Sequence, residues 1–159
     1  MRVLALYNRT IDWLAGRIPE GVVLAFMRVV LAGIFWRSGQ TKIAEGTWFT
    51  ISENTFFLFQ DEYGGVPLPS HLAAVMATVS EHLFPILLVL GLLTRLSALA
   101  LLGMTMVIQI FVYPDAWWQV HSLWAAMALV LIIRGGGWLS LDALLARAGA
   151  RRRASHEIG

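Results

Sequence analysis

The chain has 159 residues, of which 58% are hydrophobic, with a mean hydropathy of +0.69, a formal net charge of +2 and no cysteine. That length allows one domain, and that composition is too apolar for an ordinary soluble one. The lack of cysteine excludes disulfides, thiolate metal sites and thiol redox chemistry, so any redox role needs a bound cofactor. No basic, aromatic-interleaved surface points to nucleic acid.

Residues 1–20 read as an amphipathic segment, too polar for a signal peptide or a membrane span. Leu4, Tyr7, Ile11, Leu14 and Ile18 share one helical stripe and Arg2 and Arg9 oppose it. This is the pattern of a helix lying in the headgroup plane or packed on its own bundle. Pro19 and Gly21 break it. A first span follows over about 21–44. Arg28, Phe35, Gly39 and Lys42 recur there at helical spacing, with Ala32 as a small neighbour that permits close packing. Arg37 lies on the other side. Arg37 and Lys42 are near the span's end, where snorkelling to the outer interface competes with burial, whereas Arg28 is deeper and calls for a buried partner.

Residues 45–69 form an outer loop with no Lys or Arg but with Glu45, Glu53, Asp61 and Glu62. Loops of this length are functional or contain hidden structure. Thr55 is placed to cap a short helix whose Phe56, Phe59 and Tyr63 face the lipid interface. A metal site from Asp61, Glu62 and His71, with Glu53, is a weak alternative, because their spacing matches no ligand motif.

The second span, about 71–93, places Glu81 and His82 half-way along a segment that needs about 20 apolar residues to cross a bilayer. A bare charge there costs several kcal/mol. It needs either a structural partner or a ligand, proton or cofactor. Pro85 frees the carbonyl four residues earlier from its helical bond. A turn at Thr94 and Arg95 leads to a third span, about 96–113, whose Gln109 is suited to an interhelical hydrogen bond. The fourth span, about 116–134, starts at interfacial Trp117 and Trp118 and carries His121 near its outer end. Residues 135–159 read as a short amphipathic helix capped by Ser140, with Asp142 in its first turn, Leu141, Leu144, Leu145 and Ala148 on its apolar face, and a basic tail at Arg151, Arg152 and Arg153.

Arginines fall in the N-terminal segment, at Arg95 and in the C-terminal end, while the other two loops have none. The positive-inside rule then gives four spans with both termini cytoplasmic. Depths at ~1.5 Å per residue put Arg28 roughly 10 Å in, Glu81 and His82 about 12–16 Å, and Gln109, His121 and Arg37 about 21–24 Å. These depths predict a buried Arg28–Glu81 contact below an outer polar layer. Arg28, Lys42, Glu81, His82, Gln109 and His121 form the expected buried polar centre, binding a ligand or gluing the helices together. Haem bridged by His82 and His121 is disfavoured by their difference in depth. A quinone headgroup needs only a His or Gln donor and an apolar slot.

The run RVVLAGIFWRSGQTKI, then Glu81 followed by LLVLGLLTRLSALALL, and the Gly-rich stop with WLSLD resemble the DoxX family of small bacterial membrane proteins over nearly all of residues 21–145. FWRSGQTK, NTFFLFQDEY, SEHLFP and MTMVIQIFVYPDAW are similar to the subgroup found with multinuclear iron oxidase systems that modify metal-binding peptides. The resemblance implies an all-α four-helix bundle in the bacterial inner membrane, accessory to envelope redox or metal-stress systems. Arg28, Lys42, Glu81 and Asp142 match its recurrent polar positions, with no catalytic role implied. Three functional readings stay open. One is a redox accessory with a quinone-like ligand. Another is a metal-handling or transport module using the acidic loop and His121. The third is a scaffold for a partner redox or metal-handling protein, or for a second copy of the chain.

Overall fold

The computed structural model describes residues 2–15 and 19–157. The order is α1 (Arg2–Ala15), α2 (Glu20–Gln40), α3 (Glu53–Asp61), α4 (Ser70–Leu90), α5 (Thr94–Phe111), α6 (Ser122–Arg134) and α7 (Leu141–Glu157). A 3₁₀ turn (Pro114–Ala116) and a π-helical turn (Trp117–His121) lead into α6. Glu20–Gln40, Ser70–Leu90, Thr94–Phe111 and Pro114–Arg134 are each long and apolar enough to cross a membrane. They form an all-α membrane bundle in which α2 packs on α4 and α6, and α5 on the same two, closing a four-membered ring.

The ring is inverted relative to a soluble bundle, because lipid solvates apolar side chains and leaves polar groups to find partners inside. Phe26, Val29, Val79, Leu83, Leu99 and Ile133 face outward, whereas Arg28, Lys42, Glu81, Thr94, Ser97, Thr105 and His121 are buried. Thr105 and Thr78 donate their hydroxyls to Leu101 and Ala74 carbonyls one turn back, so neither carries an unpaired group. The two ends of the bundle differ. Leu24, Leu31, Leu88, Ala98, Leu101 and Leu131 fill the arginine-rich half with a close-packed core. The half toward the acidic loop is hollow.

At the filled end the chain makes a knot of polar contacts. The expected turn at Thr94 and Arg95 sits earlier: α4 stops at Leu90, Gly91 and Leu93 take left-handed conformations, and Thr94 already begins α5. A left-handed leucine is unfavourable on its own. It is held by Asp142, whose carboxylate accepts from Leu93 N at 2.8 Å and Thr94 N at 2.9 Å, capping α5 from the start of α7. Burial alone would raise the Asp142 carboxyl, but the Thr94 and Leu93 hydrogen bonds and the nearby Arg28 charge outweigh it and hold it below its ordinary value. Ser140 caps α7, accepting from Ala143 N as the sequence predicts. The helix is longer than expected, running through the Arg151–Arg153 stretch.

In α1, Leu4, Tyr7, Arg9 and Ile11 are all exposed; the side chains of Arg2, Leu14 and Ile18 lie outside the described residues. The long loop does hold structure. Lys42–Ser52 folds back on itself through Ala44 N to Thr50 O and Ser52 N to Lys42 O, and α3 follows. Its cap is Ser52 rather than Thr55: Ser52 Oγ accepts from Thr55 N, and Thr55 Oγ1 donates instead to the Lys42 carbonyl. Phe59 does not face lipid but is buried on Ala73 and Ala74 of α4, leaving Phe57 as the exposed aromatic of α3.

Candidate functional site

Two cations are buried in the bundle, Arg28 on α2 and Lys42 in the turn after it, and neither has the surroundings expected from the sequence. Arg28 does not meet Glu81. Its Nη1 donates to the Leu88 and Val89 carbonyls at 3.2 and 3.4 Å and its Nη2 to the Leu139 carbonyl at 2.5 Å. The guanidinium thus sits on the carbonyl end of α4, where the helix dipole favours a cation. Gly91 makes room for it, since a Cβ there would collide with Nη1 and with Ser140. Arg28 is a joint between α2, α4 and the approach to α7.

Glu81 pairs instead with Lys42. Because α2 ends at Gln40 rather than near Ala44, the chain turns and folds Lys42 inward rather than letting it snorkel. Its Nζ lies 2.7 Å from Glu81 Oε2, with the two side chains 8% and 3% exposed. Ser38 completes the group, accepting from Lys42 Nζ at 3.2 Å and donating to Glu81 Oε1 at 3.2 Å. A buried pair of this kind is tolerable only with such added hydrogen bonds.

The backbone supports the same contact. Pro85 leaves the Glu81 carbonyl without its helical donor, and that oxygen faces Gly39 of α2, where a Cβ would stand only 3.1 Å away. Glycine at 39 therefore lets α2 and α4 approach beside the ion pair. His82, next in sequence, does not join the ion pair but packs its ring against Gly39 and edge-on to Trp36. Its Nδ1 donates to the Thr78 carbonyl at 2.6 Å, which makes Nε2 the acceptor for the Gln40 amide at 3.0 Å.

The second polar group belongs to α5 and the π turn. Gln109 spans them as an interhelical bridge, its Oε1 accepting from His121 Nδ1 at 2.7 Å and its Nε2 donating to the Pro114 carbonyl at 2.6 Å. That fixes the buried His121 with Nε2 as the ring's acceptor. The five-residue π turn sets the register that points His121 inward, a distortion common at functional sites.

Lys42, Glu81, Ser38 and His121 line one cavity of about 370 Å³ between α2, α3, α4, α5 and α6. Its other walls are apolar, from Phe35, Ala77, Phe84, Met104, Ile108 and Trp124. Phe59, Tyr63 and Tyr113 close the end toward the acidic loop, where the Tyr113 hydroxyl donates to Glu62. Burial raises the Tyr63 phenol above its ordinary value, so it stays a neutral donor. Sequence reasoning did not anticipate Ser38, Tyr63 or Tyr113. Ser38 had a signal, lying one turn before Lys42.

Of the expected centre, Lys42, Glu81 and His121 meet at this cavity, Gln109 supports it from behind, and Arg28 and His82 stand outside it. The metal alternative is not assembled. Among the described residues no three His, Asp or Glu side chains converge, His71 is stacked on Phe56, and Glu62 is engaged by Tyr113.

Residues 23–114, more than half of the chain, match the family model described as DoxX. The chain belongs to the DoxX family. A Haemophilus influenzae protein described as an uncharacterized protein is 33% identical over 136 residues, covering 80% of this DoxX chain and 86% of its own length. No solved structure matches. The family match covers the Lys42–Glu81 pair, Ser38, Gln109 and Tyr113 but ends before His121. One wall of the DoxX cavity thus lies outside the matched region.

Proposed function

We propose that this DoxX protein is a membrane accessory of an envelope redox or metal-stress system that binds a quinone-like molecule in the cavity beside Lys42 and Glu81. The observation that carries the proposal is a mostly apolar hollow with a fully hydrogen-bonded Lys–Glu–Ser group on one wall and His121 on another. Small-molecule sites combine these features, an apolar slot of about 300–1,000 Å³ with a few fixed polar groups. Filling the space with two more leucines would hold the helices together at less cost in buried charge, so adhesion alone is a poor reason for the hollow. When bound, a quinone would supply carbonyl oxygens that accept hydrogen bonds and can take up electrons and protons. The chain would supply Lys42 and Ser38 as donors, Tyr63 as a neutral donor, Glu81 and His121 as proton acceptors, and an environment that excludes water.

The same reading orients the molecule in the bacterial inner membrane, with both termini and the end bearing Arg95, Arg134 and Arg147 cytoplasmic. The cavity then lies in the far leaflet, beneath the acidic loop. The test uses the full chain in lipid nanodiscs, titrated with an alkyl-tailed benzoquinone and followed by tryptophan fluorescence, since Trp124 lines the cavity. Saturable quenching that disappears in Ala77→Phe, which fills the space, is the expected result. Equal quenching in a folded Ala77→Phe protein would overturn the assignment.

A further inference from the structure

The cavity has two ends, and they are built differently. Toward the acidic loop it is roofed by α3 and the segment after it, and that roof is fastened. The Lys42 carbonyl accepts from both Ser52 N and Thr55 Oγ1, Phe59 is buried on α4, and Glu62 holds the Tyr113 hydroxyl. Toward the flank of the bundle the wall is thin. On α4 the lining residues fan around the helix from Glu81 through Ala77, Ala73 and Ser80 to Met76. At 100° per residue that arc covers about 140°, from the buried ion pair to the lipid face. Met76, at its far edge, is 51% exposed. On α5 the corresponding arc ends at Val107, 40% exposed. Between these rims Ala77 and Ser80 on α4 and Ala100 on α5 are short and leave space beside Phe84 and Met104, the longer side chains of the same walls.

From this geometry we infer that the cavity is filled sideways from the bilayer, between α4 and α5, and that its ligand is a lipid with a polar ring-sized head and a long apolar tail. The inference rests on the quinone-like reading of the site and adds the route and the ligand class. The volume of about 370 Å³ holds a head group and a short stretch of chain. A longer tail has to leave the protein, and the gap bounded by Met76 and Val107 delivers it into hydrocarbon, where it needs no protein partner. A water-soluble ligand has no such need, and would have to unfasten α3 to arrive from the acidic-loop end.

The test compares two probes with the same ring on the full chain in nanodiscs, a decyl-tailed benzoquinone and the tail-less benzoquinone. Two single variants narrow the gap from positions that tolerate size, Met76→Trp and Val107→Trp. Each is expected to weaken the tailed probe about 10-fold or more, as an overpacked contact does, while the tail-less probe stays within about twofold of wild type. Retained tail-less binding shows at the same time that the variant is folded. If both variants affect the two probes alike, sideways access is wrong and the site reading stands. If neither probe saturates wild-type protein, the site reading itself fails, and sideways access with it.

Discussion

Replacing Lys42 by methionine keeps the length of the side chain and removes its charge, leaving Glu81 inside the bundle with only Ser38 as a hydrogen-bond donor. The two side chains are 8% and 3% exposed and 2.7 Å apart, so solvent cannot replace the lost partner. Breaking a buried pair in this way costs about 3–5 kcal/mol. That is a large share of the ~5–15 kcal/mol that holds a domain together. Glu81→Gln strands the Lys42 amine by the same logic. The double variant Lys42→Met/Glu81→Gln strands no charge, so its loss should fall short of the sum of the single losses by about 2 kcal/mol or more. The assay is equilibrium unfolding in mixed micelles, read by far-ultraviolet circular dichroism. Arg28→Met combined with Glu81→Gln provides the contrast: those residues share no contact, and their effects should add within ~0.5 kcal/mol. Additive losses for Lys42 and Glu81, or strong coupling between Arg28 and Glu81, would refute the assignment of partners.

Three further outcomes follow from the same geometry. Gly91→Ala places a Cβ against Arg28 and Ser140 in a left-handed conformation and should lose ~2 kcal/mol or more in the same unfolding assay, whereas Gly103→Ala, with open space around it, should be neutral or stabilising by up to ~1 kcal/mol. Asp142 has a folded value below its unfolded one, so its contribution is complete above the unfolded carboxylate value of about 3.9 and is lost as pH falls below it; the acid limb of thermal stability should flatten in Asp142→Asn, which should also cost ~1.5–3 kcal/mol at pH 7. Gln109→Leu leaves the His121 Nδ1 proton and the Pro114 carbonyl without their partner and should cost ~1–3 kcal/mol, seen as a lowered thermal midpoint.

Much of the bundle is legible in the sequence, because lipid imposes simple rules: four apolar runs of spanning length, small residues where helices meet, and charges that must be explained. The shared face of Arg28, Phe35 and Gly39 is read correctly from spacing, and all three are buried; Lys42 is buried as well, but from the turn after α2. The choice of partners is not. Depth counting treats a span as a straight rod and gives Lys42 to the interface, but α2 stops two residues short of it and the turn at Thr41 carries the lysine inward. Depth counting also looks for a carboxylate opposite Arg28, when backbone carbonyls at the end of α4 suffice. The cavity was invisible for a different reason. It is a space between helices, left where Ala73, Ala77 and Ala100 are too short to fill it and covered by the roof that α3 makes, and no periodicity within one segment records it. The cap of α3 shows the same limit on a small scale, since Ser52 and Thr55 are equivalent caps by type and only the Lys42 carbonyl decides between them.

The hollow beside Lys42 and Glu81 should hold a small tailed molecule in the cell. Native mass spectrometry of the full chain, released gently from its own membrane, tests it most directly. Wild-type protein should retain a lipid of quinone-like mass, and a folded Ala77→Phe variant should lose it. A bare polypeptide mass for the wild type, or the same adduct on both proteins, would contradict it.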